Sequence, residues 1–116
     1  MNEGKTLSEF ALEFRKKLEA YHDGDLAGID GTCQSEAEQL AKFLKTKGFA
    51  AEKVGGYYKN LGDDWESPDG KPATKWKHWW VLVDNKTIVD VTADQFHPSE
   101  RQAYRVVITN KQNRDY

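Results

Sequence analysis

The hydrophobic period of this 116-residue sequence changes at Gly48, and this change limits which folds the chain can adopt. Before Gly48, apolar side chains recur at steps of three and four, as on one face of an α-helix. They are Leu7, Phe10, Ala11, Phe14 and Leu18, followed by Ala37, Leu40, Ala41 and Leu44. After Gly48, short runs of β-branched and aromatic residues indicate strands. Helices followed by strands predict an α+β fold, with N-terminal helices packed on an antiparallel sheet.

Two helices are predicted before Gly48, with a loop between them. The first has Thr6 or Ser8 as its N-cap, and its polar side, which includes Arg15, is predicted to face solvent. Residues 21–31 contain three glycines and three aspartates, so they are predicted to form a loop. Gly48 suits the left-handed position that closes the second helix.

Four strands are predicted after Gly48, over residues 49–58, 78–83, 87–92 and 104–109. Gly55 and Gly56 weaken the first strand and indicate a bulge or a close backbone approach. Residues 59–77 are polar and are predicted to form a long loop, placed where it could cover a site. The tail over residues 110–116 is predicted to be frayed.

Length, charge and cysteine content exclude several classes of protein. A chain of 116 residues without repeats is typical of a single domain. The domain is predicted to cover residues 1–116, with its core at about residues 7–109, and the protein is expected to be a monomer. A net charge of −2 predicts neither nucleic-acid nor membrane binding. No apolar run approaches the roughly 20 residues of a membrane helix, and the first residues do not resemble a signal peptide. A cytoplasmic location is therefore predicted.

The single cysteine, Cys33, lies where the second helix is predicted to begin, near Thr32. One cysteine excludes an intramolecular disulfide and a zinc site built from several cysteines, and no cofactor is expected. A lone cysteine is often a small buried apolar residue. At a helix N-terminus, however, unpaired N–H groups favour the thiolate, which is the nucleophilic form of cysteine. The backbone amide of Cys33 is also a candidate donor to an oxyanion.

A catalytic thiolate needs a base and a group that orients it, and His78 and Asp90 are the candidates. His78 opens a predicted strand, whereas His22 and His97 are predicted at the surface. Asp90 lies inside an apolar strand, where a carboxylate is costly to bury without a partner. The alternatives are a strand-edge histidine without a role and an aspartate that forms a structural salt bridge or lies on an exposed face.

The hairpin between the second and third strands provides a geometric test of this pair. If Asp84, Asn85 and Lys86 form a three-residue loop, Val83 pairs with Thr87. His78 and Asp90 then become diagonal neighbours on one face of the sheet, within hydrogen-bonding reach. A two-residue loop would place their side chains on opposite faces.

Three segments resemble motifs of the transglutaminase-like branch of the papain-like cysteine fold. Residues 31–40 resemble its nucleophile helix, residues 78–83 its histidine strand, and residues 90–96 its aspartate motif. The resemblance implies a papain-like core with Cys33 as nucleophile, His78 as base and acid, and Asp90 as the orienting carboxylate. Asp94 is a second candidate carboxylate, although its sequence setting is more typical of a turn that packs Phe96 inward. No glutamine precedes Cys33 closely, so a side-chain oxyanion donor of the papain type is not evident, and no loop has the acidic spacing of a calcium site.

The expected function is therefore that of a thiol hydrolase or acyl transferase acting on an amide or thioester carbonyl. Peptidase, amidase and deamidase activities share this chemistry, and a peptide or protein substrate is expected. Four aromatic side chains are candidates for substrate binding, with core packing as the alternative: Tyr57, Trp76, Trp79 and Trp80. The alternative function is a catalytically inactive protein-binding module on the same fold. Metal binding is disfavoured because Cys33 and one nearby histidine provide too few ligands.

Overall fold

A computed structural model describes residues 5–116 of the chain as helices followed by a four-stranded sheet. The helices are α1 (Leu7–Tyr21), α2 (Leu26–Ile29), α3 (Cys33–Thr46) and α4 (Arg101–Tyr104), and a 3-10 helix covers Ala93–Phe96. The strands are β1 (Ala51–Tyr58), β2 (Trp76–Val83), β3 (Thr87–Asp90) and β4 (Val107–Asn110). They lie in the order β1-β2-β3-β4, and every neighbouring pair is antiparallel. The predicted α+β class with an antiparallel sheet is confirmed.

Local motifs that the sequence encodes mark the start of α1 and the end of α3. Thr6 is the N-cap of α1, and its side chain and that of Glu9 form a reciprocal capping box. Gly48 follows α3 with a positive φ of 93°, as predicted. The amides of Gly48 and Phe49 return to the carbonyls of Lys45 and Leu44, which is the Schellman arrangement. The second motif fixes where α3 ends, and Cys33 is the first residue of that helix.

Apolar side chains pack on both faces of the sheet. One face meets α1 and α3, and its core contains Phe10, Ala37, Leu40, Leu44, Val81, Val83 and Val89. The opposite face carries a second cluster around Tyr58 and Phe96, which Trp65, Trp76 and Tyr116 cover. Because side chains alternate along β2, Val81 and Val83 lie on the helix face, whereas His78 and Trp80 project to the second. The strand thus contributes to two hydrophobic clusters.

Gly55 and Gly56 mark a close approach within an unbroken strand. Every residue of β1 pairs with β2 in one register, from Ala51 opposite Val83 to Tyr58 opposite Trp76, so the strand has no bulge. A Cβ on Gly56 would lie 2.6 Å from the ring of Trp80, and one on Gly55 would lie 2.7 Å from the ring of Trp79. The two glycines therefore leave room for two indole rings, one on each face of the sheet.

Several predicted boundaries and environments differ from the structure. A short helix, α2, occupies part of the predicted loop 21–31, and the fourth strand is shorter than predicted because α4 precedes it. The tail is not frayed: the Lys59 amide donates to the Asp115 carbonyl at 2.7 Å, which binds the tail to the end of β1. Arg15 is fully buried rather than exposed, because its guanidinium forms two hydrogen bonds with the carboxylate of Asp94.

One structural observation concerns membranes. Within residues 5–116, no helix combines the length and apolar character required to cross a lipid bilayer. The prediction that the first residues are not a signal peptide falls partly on residues 1–4, which lie outside the described residues.

Candidate active site

Cys33 is the first residue of α3 and follows the N-cap Thr32. The N–H groups of a first helical turn have no acceptor within the helix, so they favour negative charge beside them. The Cys33 side chain is half-buried, which leaves it reachable from solvent. Beside it is an open groove of about 340 Å³, lined by Gly31, Thr32, Gln34, Ser35, Glu38 and Lys53.

His78 and Asp90 form a buried pair across the hairpin. Nε2 of His78 lies 2.7 Å from Oδ2 of Asp90, and both side chains are almost completely buried. Val83 pairs with Thr87, as the three-residue connection requires. Asp84 and Asn85 take the positive φ values, 53° and 56°, that turn the chain. The predicted register is confirmed, although ladder pairing between the two strands ends at Val81 and Val89.

The Asp90 carboxylate receives donors on both of its oxygens. Oδ1 accepts the backbone N–H of Thr92 at 2.9 Å, while Oδ2 accepts the Tyr116 hydroxyl at 2.8 Å in addition to His78. Complete burial would raise the pKa of Asp90. The charge and hydrogen bond of His78, together with the other donors, overcome burial and lower the pKa below its usual 3.8. Asp90 is therefore charged at neutral pH.

The charges of Cys33, His78 and Asp90 depend on one another. Burial disfavours a charged His78, but the neighbouring Asp90 carboxylate raises the pKa of His78 to about 9. Burial likewise disfavours the thiolate, yet the hydrogen bond and positive charge of His78 lower the pKa of Cys33 below its ordinary 9.0. Within residues 5–116, Nδ1 of His78 has no hydrogen-bond partner and Nε2 is taken by Asp90, so Nδ1 is the ring nitrogen available to the thiol. The arrangement favours a thiolate–imidazolium pair.

Two backbone amides face the reacting region. The amide of Trp79 donates toward the Cys33 sulfur and contributes to the lowered pKa of the thiol. The amide of Cys33 lies at the helix start, where it has no intrahelical acceptor. These groups provide donors for a thiolate and for an oxyanion without any side chain.

The four predicted substrate-binding aromatics lie in different environments. Trp80 is only 7% exposed, and its ring packs between those of His78 and Tyr116. Trp76 packs against Trp65 in the second cluster. Tyr57 is 49% exposed, and Trp79 is half-buried on the helix face near Cys33. Among the four, exposure and position favour Tyr57 and Trp79 as contacts for a substrate.

The other titratable candidates do not join the site. Asp94 pairs with Arg15 instead of a histidine, and the 3-10 helix around it buries Phe96, as the sequence indicated. His97 is 4% exposed rather than at the surface, because its ring stacks on Tyr104 and its Nε2 meets the Tyr58 hydroxyl. His22 is partly buried next to Tyr21. The predicted loop packs behind the site, with Trp65 against Phe96 and Phe96 against the ring of His78.

Tyr116 is the site residue that sequence reasoning missed. Its hydroxyl reaches Oδ2 of Asp90, 26 positions away in the chain, and its ring packs on Tyr58 and Trp80. A polar tail gives no periodic signal, so no pattern connects this tyrosine to the aspartate. Burial and the charge of Asp90 raise the pKa of Tyr116, which therefore stays a protonated donor.

Replacing Tyr116 with phenylalanine is expected to lower the free energy of unfolding by about 1.5–3 kcal/mol at pH 7, because a hydrogen bond to a charged group is lost while the ring stays. The depressed pKa of Asp90 stabilises the fold above its usual 3.8, and this contribution disappears as pH falls through the folded value. The loss caused by Y116F should therefore shrink in acid. Urea unfolding at several pH values measures it, with Tyr104→Phe as the matched control. A loss of equal size at pH 7 and in acid would assign Tyr116 to packing alone.

The chain matches no family model, no curated protein and no solved structure. The case for a function therefore rests on the geometry of Cys33, His78 and Asp90.

Proposed function

We propose that this chain is a cysteine-dependent hydrolase or acyl transferase with a transglutaminase-like, papain-type core. The supporting observation is the buried 2.7 Å contact between His78 and Asp90 beside the Cys33 thiol at the start of α3. A thiolate activated by an imidazolium, with a carboxylate that orients the ring, is the arrangement of thiol acyl-transfer enzymes. The substrate is an amide or thioester carbonyl of a peptide or protein.

The reaction begins with attack of the Cys33 thiolate on the carbonyl carbon. A carbon–sulfur bond forms, and the π electrons move to the carbonyl oxygen, which the Cys33 amide stabilises. As the tetrahedral intermediate collapses, the carbon–nitrogen bond breaks and the leaving amine takes the proton of the His78 imidazolium. An acyl-enzyme and a neutral imidazole remain.

The second half of the reaction restores the resting pair. Neutral His78 takes a proton from water, whose oxygen attacks the thioester carbon. The carbon–sulfur bond breaks, and a carboxylic acid leaves with the thiolate and imidazolium regenerated. An amine in place of water gives acyl transfer, and a side-chain amide as substrate gives deamidation. Asp90 stays ionised throughout and holds the ring through Nε2, which leaves Nδ1 free to exchange a proton with the sulfur and the substrate.

Alkylation of Cys33 by iodoacetamide across pH tests this proposal, since Cys33 is the only thiol. The rate is expected to rise at a lower pH than for a free cysteine, because the thiolate forms beside the imidazolium, and to change again near pH 9, where His78 loses its proton. His78→Gln should move the first rise upward. A wild-type thiol that titrates near roughly 8.5, as a free cysteine does, would contradict the proposal.

An activated ester separates the enzyme from an inactive binding module. p-Nitrophenyl acetate is expected to give a burst of one nitrophenolate per chain and an acetylated Cys33 that mass spectrometry detects. Cys33→Ser is the control and should abolish the burst. A normally folded chain that alkylates like a free thiol and gives no burst would instead be the protein-binding module.

A further inference from the structure

The sheet face beyond the N-terminus of α3 carries the exposed ring of Tyr57 and the half-buried ring of Trp79, both surrounded by lysines. In the register of β1 and β2, Gly55 lies opposite Trp79 and Tyr57 opposite Lys77. Side chains of directly opposed residues share a face, and Val81 and Val83 place the helices on this same face. The face therefore continues past the start of α3, where the helix no longer covers it.

Three ammonium groups lie over the two rings of this face. Lys53 and Lys77 lie 5.2 and 5.6 Å from the Trp79 ring centroid, and Lys75 lies 4.7 Å from that of Tyr57. We call these five residues the lysine–aromatic face. The Trp79 ring is seated on Gly55, where no Cβ could fit. The rings thus hold three positive charges in a defined region of a chain whose net charge is −2.

This region is adjacent to the candidate nucleophile. The Trp79 amide donates toward the Cys33 sulfur, and Lys53 lines the groove that begins at Gly31 and Thr32. A ligand with its carbonyl at Cys33 therefore has its neighbouring groups beside these ammonium groups.

The charges of the face are largely uncompensated by the protein. Lys53 lies 3.8 Å from Glu38, but that pair is partly exposed and contributes little. In the described part of the chain, neither Lys75 nor Lys77 has a carboxylate within salt-bridge distance. An exposed cation–π contact is worth only about 0.5–1 kcal/mol, so each ammonium group can turn to a stronger partner. Carboxylates provide such partners through charge-assisted hydrogen bonds.

We infer that the lysine–aromatic face binds an acidic peptide, and that the substrate carries carboxylate side chains next to the carbonyl presented to Cys33. This inference rests on the proposed function, because it uses Cys33 as the reacting group. Aromatic rings pack against the apolar parts of an extended peptide, while the lysines select for acidic side chains. Single-stranded nucleic acid is the competing occupant, since it also combines negative charge with flat rings.

Charged thiol reagents test the inference without knowledge of the substrate. The anionic sulfonatoethyl and cationic trimethylammonioethyl methanethiosulfonates modify Cys33 at rates that report the local potential. We expect Lys77→Glu to reduce the anion-to-cation rate ratio about three- to tenfold, and the difference to fade at high salt. Lys47→Glu is the matched control, because Lys47 lies at the far end of α3, roughly 20 Å from Cys33. Equal ratios in the wild type and both variants would overturn the inference.

Protection experiments identify the occupant. Hexaglutamate is expected to slow iodoacetamide labelling of wild-type Cys33, and to do so less in Lys77→Glu, whereas hexalysine should not. Absence of protection by hexaglutamate, or protection by oligothymidylate alone, would overturn the inference. These outcomes are distinct from failure of the proposed function, which a wild-type Cys33 titrating as a free thiol would reveal.

Discussion

Replacing Asp90 with asparagine is expected to lower the catalytic rate by about 10³- to 10⁴-fold, the loss typical of a triad that keeps its shape but not its carboxylate. The asparagine oxygen would retain the Thr92 amide as its donor, which turns the side-chain NH₂ toward His78. Nε2 of His78 would then have to accept a hydrogen bond, so the ring proton moves to Nδ1. An imidazole protonated on the side of the thiol cannot take its proton.

The same substitution is expected to change how both groups titrate. Burial is the largest single influence on the pKa of His78, and it lowers that pKa. The charge and the hydrogen bond of Asp90 act in the opposite direction and raise the pKa to about 9. Without that carboxylate, burial prevails and the pKa of His78 falls below its usual 6.5. A neutral His78 no longer stabilises the thiolate, so the pKa of Cys33 rises. Imidazole NMR signals and iodoacetamide rates across pH measure the two shifts.

Asp84→Asn is the matched control for this prediction. Asp84 lies in the same hairpin with a φ of 53°, a conformation that asparagine tolerates, and its side chain is exposed. The variant removes one negative charge while leaving the pair of His78 and Asp90 intact. An Asp90→Asn protein that folds, with Cys33 still titrating as in the wild type, would show that the carboxylate does not activate the thiol.

The sequence predicted the parts of the site that depend on local pattern. Helical spacing places Cys33 at the first turn of α3, and strand alternation with one three-residue connection places His78 diagonal to Asp90. The three-residue length of the loop sets the register of the hairpin, and Asn85 can adopt the positive φ that such a loop requires. These features follow from periodicity and turn chemistry, which a single sequence displays.

The features that the sequence did not predict depend on distant partners. Arg15 was expected in solvent because amphipathic spacing treats every charged residue as outward-facing, but its partner Asp94 lies 79 positions away. His97 is buried and Tyr116 half-buried for the same reason, through contacts with Tyr58 and Asp90 that no local pattern encodes. Buried polar groups are identified by their partners, and those pairings exist only in the folded chain.

Replacing Arg15 with methionine is expected to lower the free energy of unfolding by about 3–5 kcal/mol, because one partner of a buried ion pair is removed. The guanidinium donates to both oxygens of Asp94 and to the carbonyl of Val91, the residue next to Asp90. Methionine fills similar volume but provides none of these donors. Among residues 5–116, Asp94 would keep only the contact with Arg101 at 3.2 Å, and Arg101 is already shared with Asp30. Thermal unfolding should show a midpoint lower by roughly 10 °C or more.

A second substitution distinguishes an unpaired charge from a loss of packing. Adding Asp94→Leu to Arg15→Met removes the charge that the first change leaves buried, so the double variant should be more stable than Arg15→Met alone. Lys16→Met, at the exposed neighbouring position, should change the free energy of unfolding by less than about 0.5 kcal/mol. Because Val91 follows Asp90 directly and Asp94 lies four residues after it, the double variant should also restore part of any loss in Cys33 reactivity at temperatures below the midpoint. A double variant less stable than Arg15→Met would mean that Arg15 and Asp94 act through packing. The charges of the two residues would then not determine how α1 is held against residues 90–94.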